Sequence, residues 1–229
     1  VTAAVGQGGG FPPVALFDLD GTLLDSAPDM VATANRMLVA RGQGPVDAEM
    51  LRKHVSKGAR AMVSVLFPDA EGEARDALVA EFLAVYREEL GRHSRLFDGI
   101  EQMLAALEAA GSRWGIVTNK AEYLARDVVA GLGWQERCAV LVGGDTYAER
   151  KPHPLPLLEA ARTLGADPAD CVYVGDDERD VLAAKGAGMP SIAVLWGYRL
   201  DGEDPLTWQA DRVAELPHEL VAPAAWPRR

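Results

Sequence analysis

Four consecutive apolar residues, Val14-Ala15-Leu16-Phe17, run directly into Asp18-Leu19-Asp20-Gly21-Thr22. An unbroken apolar run entered from Pro12-Pro13 predicts a strand buried on both faces, as parallel sheets require. The period then changes. Ser26, with Pro28 and Asp29 just behind it, marks a helix start of the capping-box kind. Met30, Ala34, Met37, Leu38 and Arg41 keep helical spacing, and Gly42 ends the run. Up to about residue 96 only helical patterns follow, over 48–57, 59–66 and 73–91. The last of these shows its period in Phe82, Val85, Tyr86 and Glu89.

From Phe97 the pattern alternates. Asp98 is expected to cap a helix over 99–110, closed by Gly111. Apolar runs at 114–118, 139–142, 171–174 and 191–196 predict strands, separated by helices over 121–131, 154–164 and 178–187. Short strands alternating with helices imply βαβ units around a parallel sheet. The first strand belongs to that set but is cut off from it by residues 26–96. The expected architecture is therefore an α/β core of 14–25 and 97–229, interrupted by an all-helical insertion over 26–96. A flexible Gly-rich leader would occupy 1–13. Gly6, Gly8, Gly9 and Gly10 precede the strand, which is the wrong side for a nucleotide-binding loop.

Composition narrows the partners. The chain has 229 residues, 48% of them hydrophobic, enough for a full core. Thirty-four acidic against 23 basic side chains give a net charge of −11, which argues against a nucleic-acid backbone as partner. A small anion stays compatible, since one lysine and a metal can outweigh the global field locally. Two cysteines, Cys138 and Cys171, suggest no disulfide scaffold and a reducing cytoplasm. The opening Val-Thr-Ala-Ala has no signal-peptide pattern, and no apolar run approaches a membrane span.

The polar residues beyond the predicted strands carry the chemistry. They are Asp18 and Asp20, then Thr118-Asn119-Lys120, then Lys151-Pro152, then Gly175-Asp176-Asp177-Glu178-Arg179-Asp180. In a parallel sheet these ends share one edge, where ligands bind. Two adjacent carboxylates are costly unless a cation or a shared proton relieves them. Carboxylates suit Mg²⁺, a hydroxyl and N–H groups at a helix start suit phosphate oxygens, and a lysine offsets the remaining charge. That combination fits phosphoryl transfer. Lys120 is expected in solvent, and His54, His93, His153 and His218 lack metal-ligand spacing.

Asp18-Leu-Asp-Gly-Thr22, Thr118, Lys151 and Gly175-Asp-Asp-Glu-Arg-Asp180 resemble, in order, the four motifs of the haloacid dehalogenase (HAD) superfamily. The resemblance implies a Rossmann-like α/β core with a C1-type helical cap at 26–96. Asp18 would be the nucleophile, forming an aspartyl-phosphate, and Asp20 the general acid and then base. Thr118 would hold the phosphoryl group, and Lys151 would orient it and Asp18. Mg²⁺ would take Asp18, the backbone carbonyl of Asp20, and Asp176. Asp180 would support the metal from outside, while Asp177 is either a similar outer group or a helix cap. Gly21, Thr22 and Asn119 complete the expected contacts to a small phosphorylated substrate.

Asp20 separates the reactions that these motifs allow. Dehalogenases and phosphonate hydrolases of the superfamily do without this acid, the latter using a cap lysine, for which Lys57 would be the counterpart. A phosphomutase keeps both acids, and response-regulator receivers use a similar acid cluster as a signal. Phosphatase is the expected activity. The chain broadly resembles phosphoglycolate phosphatases. Val55–Val63, 93–99, 114–120, Trp196-Gly-Tyr198 and the later Asp204-Pro205, Trp208, Ala210-Asp211 resemble bacterial N-acetylmuramic acid 6-phosphate phosphatases of cell-wall recycling more closely. The amino-sugar phosphate is thus the expected substrate, with phosphoglycolate the alternative. Lys57-Gly58-Ala59-Arg60 is the candidate specificity loop, whose two cations could meet the carboxylate that both substrates carry.

Overall fold

The computed structural model describes residues 10–227. The chain runs through β1 (Val14–Phe17), β2 (Leu24–Asp25), helices α1 (Ala27–Val39), α2 (Ala48–Arg52), α3 (Ala59–Leu66) and α4 (Gly72–Glu89), then β3 (Arg95–Leu96). There follow α5 (Ile100–Ala109), β4 (Arg113–Val117), α6 (Glu122–Gly131), β5 (Cys138–Val142) and α7 (Leu155–Leu164). The last elements are β6 (Cys171–Gly175), α8 (Glu178–Ala187), β7 (Ser191–Val194) and β8 (Arg212–Ala214). The fold is α/β, as the alternating pattern predicts.

Six strands form one sheet in the order β5-β4-β1-β6-β7-β8, every neighbouring pair parallel. The apolar run of β1 is central, and the chain order reverses beside it, which is where open parallel sheets bind ligands. Phe17 lies level with Ile116 of β4 and Val174 of β6. That register brings Asp18, Thr118 and Asp176 to one edge. The pleat divides the core in two. Ala15, Phe17, Trp114, Ile116, Val172 and Val174 face α5 and α6, while Val14, Leu16, Cys171 and Tyr173 face α7 and α8. Each of the larger aliphatic or aromatic side chains among them, such as Leu16, Phe17, Ile116 and Val174, contributes about 1.5–3 kcal/mol relative to exposure.

Helices α1–α4 lie in sequence between β2 and β3, which pair antiparallel where the chain leaves and re-enters the core. They carry their own apolar cluster of Met30, Ala34, Met37, Leu51, Met62, Phe82 and Tyr86, touched from the core by Leu124 and Tyr198.

Local expectations change in several places. The Ser26 side chain caps nothing, and its hydroxyl has no partner. Asp29 instead accepts from the backbone N–H of Gly91 at 2.7 Å and His93 at 2.6 Å, tying the returning chain to α1. The expected helix over 48–57 splits into α2 and a separate 3₁₀ turn, Val55–Lys57, before α3. Gly99, not Asp98, precedes α5, at φ +97°. β2, β3 and β8 are additions to the expected strands. Most of the expected leader, residues 1–9, lies outside the described residues. Its end is packed: Phe11 meets Trp226 edge-on at 6.2 Å, and the Ser112 hydroxyl donates to the Pro12 carbonyl at 2.7 Å.

No helix among the described residues is long and apolar enough to cross a membrane. Both cysteines are unpaired, and burial pushes each thiol up to about 11. Since only the thiolate reacts readily, iodoacetamide at neutral pH should label neither cysteine in the native protein and both after unfolding. Rapid native labelling, read by mass spectrometry, would contradict this.

Candidate active site

The site is assembled from four loops at the carboxyl edge of the sheet. Asp18 follows β1 directly, its backbone N–H still donating to Val174 at 2.9 Å as though the strand continued. Its Oδ1 accepts from the N–H of Leu19 at 2.7 Å and meets Lys151 Nζ at 3.1 Å. Lys151, which precedes a cis peptide bond to Pro152, is itself buried. Its ammonium also contacts Asp180 Oδ1 at 2.7 Å and donates to the Tyr173 hydroxyl at 2.7 Å, which donates on to the Val117 carbonyl. Asn119 Nδ2 holds the Lys151 carbonyl at 2.9 Å. Lys151 is therefore fixed from both its ends.

Asp176 is fully buried at the end of β6. Its oxygens accept from Thr22 Oγ1 at 3.2 Å, Ser56 Oγ at 2.7 Å and the N–H of Tyr198 at 2.9 Å. Backbone from two other loops closes in on it. A Cβ on Gly21, at φ +86°, would stand 2.1 Å from Asp176 Oδ2, and one on Gly197 would stand 2.3 Å from the Asp176 Cβ. Only glycine fits at either place. Asp177 caps α8, accepting from the Arg179 N–H at 3.0 Å, while Asp180 Oδ2 accepts from the Asp177 N–H at 3.0 Å. Of the two roles expected of Asp177, the helix cap is the one its contacts show.

One carboxylate oxygen from each of Asp18, Asp176 and Asp180 falls within 4.8 Å of the others. Burial, then the charges of Asp18 and Asp180, push Asp176 well above the usual carboxylate range. Asp180 is pushed up to about 6 by burial, although Lys151 pulls it down. Lys151, conversely, stays above its ordinary value because Asp18 and Asp180 outweigh the cost of its burial. One lysine does not balance three buried acids. Hard oxygen donors in a place short of positive charge fit a divalent cation of the Mg²⁺ kind. Asp180 already faces the Lys151 ammonium through Oδ1 and the Asp177 N–H through Oδ2. Asp176 accepts only from neutral donors, and both contacts of Asp18 fall on Oδ1, so Asp18 and Asp176 are the better donors, with Asp180 behind them.

Asp20, Thr118 and Lys151 join Asp18 in lining a cavity of about 360 Å³ beneath the helical insertion. Its far wall is apolar, with Met62, Phe82, Leu83 and Tyr86 from the insertion and Leu124 from α6. Asn119 also lines it. Gly21 and Thr22 do not: their positions serve Asp176, because the tight turn after Asp20 folds them under the acid. Lys57 and Arg60 border the cavity, but Lys57 is bound to Asp177 at 2.7 Å and Glu203 at 2.6 Å. Arg60 pairs with Asp76 on an exposed face. Arg179 reaches across to the Ser56 carbonyl, so the 3₁₀ turn of the insertion is latched to the start of α8.

Lys120 reverses its expectation most fully. Its side chain is 4% exposed, and its ammonium lies 3.0 Å from each oxygen of Asp20. Arg179 stands inside the Gly175–Asp180 motif, and Ser56 and Tyr198 in the stretches Val55–Val63 and Trp196–Tyr198, but the sequence assigns none of them a role, nor Tyr173. For Lys120 the signal is the Thr-Asn-Lys run after a predicted strand.

The sequence profile of the haloacid dehalogenase-like hydrolases matches residues 15–194. The chain belongs to this family. A phosphoglycolate phosphatase of Xanthomonas campestris pv. campestris is 62% identical to this hydrolase over 218 residues, covering 95% of the chain and 99% of the relative. An N-acetylmuramic acid 6-phosphate phosphatase of Pseudomonas aeruginosa is 44% identical over 207 residues, covering 90% and 92% respectively. A crystal structure from Haemophilus somnus, described as a predicted phosphoglycolate phosphatase, superposes with a TM-score of 0.82 over 94% of this chain and 98% of the other, at 24% identity. This hydrolase is a HAD-superfamily phosphatase, sharing fold and family with these proteins.

Proposed function

We propose that the enzyme hydrolyses small carboxylated phosphate monoesters through a covalent phosphoryl group on Asp18. The observation that carries this reading is the convergence of Asp18, Asp20, Thr118 and Lys151 on one cavity beside the buried pair Asp176 and Asp180. Both fixed contacts of Asp18 fall on Oδ1, which leaves Oδ2 to attack phosphorus. The Oδ2–P bond forms as the ester P–O bond breaks, and Asp20 gives a proton to the departing oxygen. Water then attacks phosphorus, Asp20 takes its proton, and Asp18 is released with inorganic phosphate. Splitting the displacement in this way replaces one hard step by two easier ones. Thr118 Oγ1 and the neighbouring backbone N–H groups would bind phosphoryl oxygens, and Lys151 holds Asp18 against them. Asp18, the Asp20 carbonyl and Asp176 would hold Mg²⁺, which when bound offsets the repulsion between carboxylate and phosphate. The unpaired thiols support a reducing, cytoplasmic setting.

For the substrate, relatives at 62% identity carry the name phosphoglycolate phosphatase, while those named for N-acetylmuramic acid 6-phosphate stand at 43–44%. The names thus favour phosphoglycolate over the amino-sugar phosphate that local sequence resemblance suggests. A second reading keeps the amino sugar. The cavity, at about 360 Å³, has an apolar wall that a two-carbon ester leaves bare and a sugar with acetamido and lactyl methyl groups would cover. Measuring kcat/KM for both esters with Mg²⁺ decides. Phosphoglycolate turned over at least about tenfold better, a difference worth about 1.4 kcal/mol, supports the first reading. The reverse ratio supports the second, and negligible rates on both would sink the carboxylated-ester class.

A further inference from the structure

The geometry points to Lys120 as a positioning residue for the leaving-group step: it fixes the Asp20 carboxylate and couples that placement to the helical insertion through Tyr86. The inference rests on the role given to Asp20 above.

Lys120 Nζ stands 3.0 Å from Oδ1 and 3.0 Å from Oδ2 of Asp20, so a single ammonium straddles both oxygens and sets the plane of the carboxylate. The same nitrogen donates to the Tyr86 hydroxyl at 2.7 Å and lies 4.5 Å from the centre of its ring. A lysine has a long, flexible stem. Here the Tyr86 hydroxyl and the cation–π contact hold its head in place, and both are stronger in a dry site than at a surface. Tyr86 belongs to α4 and is itself buried, stacked on Phe82 with ring centroids 6.4 Å apart. Asp20 belongs to the core. The three groups therefore form a bridge across the cavity that lies between the two.

The run Thr118-Asn119-Lys120 thereby serves three ends. Thr118 lines the same cavity as Asp18, Asn119 holds the Lys151 backbone, and Lys120 holds Asp20. In the first half-reaction proton donation leaves negative charge on Asp20, and Lys120 is already in place to meet it. A preorganised cation at the point where charge develops costs no reorganisation during the step.

The test compares leaving groups. kcat/KM reports the enzyme through formation of the phosphoryl-Asp18. An alkyl phosphate such as phosphoglycolate needs a proton on its departing oxygen, whereas p-nitrophenyl phosphate does not. K120M should lower kcat/KM about 100-fold for the alkyl ester and less than about fivefold for the aryl ester. Y86F, which keeps the ring and its packing, should show the same bias at about three- to tenfold. K120R, retaining the charge, should recover part of the loss. D20N is the control for the underlying reading. If D20N shows the alkyl bias and neither K120M nor Y86F does, the Lys120 inference is overturned and the role of Asp20 stands. If D20N affects both esters equally, the role of Asp20 fails and the inference falls with it. Should K120M not fold, Y86F alone decides on the same criterion.

Discussion

D18N should abolish turnover, by more than about 10⁴-fold, without unfolding the protein. Asparagine matches aspartate in shape, and its amide oxygen can still accept from the Leu19 N–H. It cannot supply the anionic oxygen that forms the bond to phosphorus. The rest of the site gains nothing that compensates, because Asp20 and Thr118 act only on a phosphoryl group under attack. Folding is a different matter. Asp18 adds to the charge that pushes Asp176 upward, so removing it relieves repulsion in the metal-free protein, while Lys151 keeps Asp180 as a partner. Thermal melts without metal should therefore match wild type or lie slightly above it. Mg²⁺ should stabilise wild type more than D18N, because the variant offers the ion a neutral amide oxygen in place of an anionic carboxylate oxygen. Activity within about tenfold of wild type on p-nitrophenyl phosphate would refute the assignment of Asp18 as nucleophile.

The sheet was legible where the sequence is locally explicit. Val14–Phe17 has no polar residue on either face, as a strand covered on both sides requires. The equally apolar Cys138–Val142 lies at the sheet edge, so apolarity reads coverage and not position. The acids placed at the end of Val14–Phe17 then follow from the register. What escaped depends on contacts distant in sequence. β2 and β3 are two residues each, too short for any period, and exist because the chain must leave and re-enter the core at one neck. β8 has a partly exposed pattern at the sheet margin, which composition does not distinguish from a loop. Asp29 reads as a helix-start acid, since its true partners at 91–94 lie beyond three further helices. Lys120 fails for the same reason. A lysine after a strand is normally solvated, and only the return of α4 over the sheet edge buries it. The convergence of the core motifs on one sheet edge was therefore readable, while the contacts made by the insertion were not. Lys57 illustrates the difference: its charge was evident, but its commitment to Asp177 and Glu203 follows only from the packing of the 3₁₀ turn against α8.

K151M should remove activity and also cost about 3–5 kcal/mol of stability, because it leaves two buried carboxylates without their cation. Lys151 contacts Asp18 at 3.1 Å and Asp180 at 2.7 Å, and methionine fills similar volume without a charge. The sign of the pH dependence follows from Asp180. Its carboxyl is pushed up to about 6 in the folded protein by burial, above the ordinary 3.8. The folded state therefore binds this proton more tightly than the unfolded state. In the metal-free protein its contribution is favourable at low pH and is lost as pH rises from about 4 through about 6. Lys151 pulls that carboxyl down, so deleting the lysine moves the loss to higher pH and makes it larger. Metal-free K151M should accordingly lie least below wild type near pH 5, where Asp180 holds its proton, and fall progressively further below it towards pH 8. Adding D180N removes one of the two stranded charges while leaving an oxygen to accept from the Asp177 N–H. The double variant should recover much of the stability at pH 8 and none of the activity, since Asp18 still lacks the cation that holds it. Equal melting of wild type and K151M across pH 5–8 would show that Lys151 does not balance these acids. Recovery of turnover in the double variant would show that its role is limited to that balance.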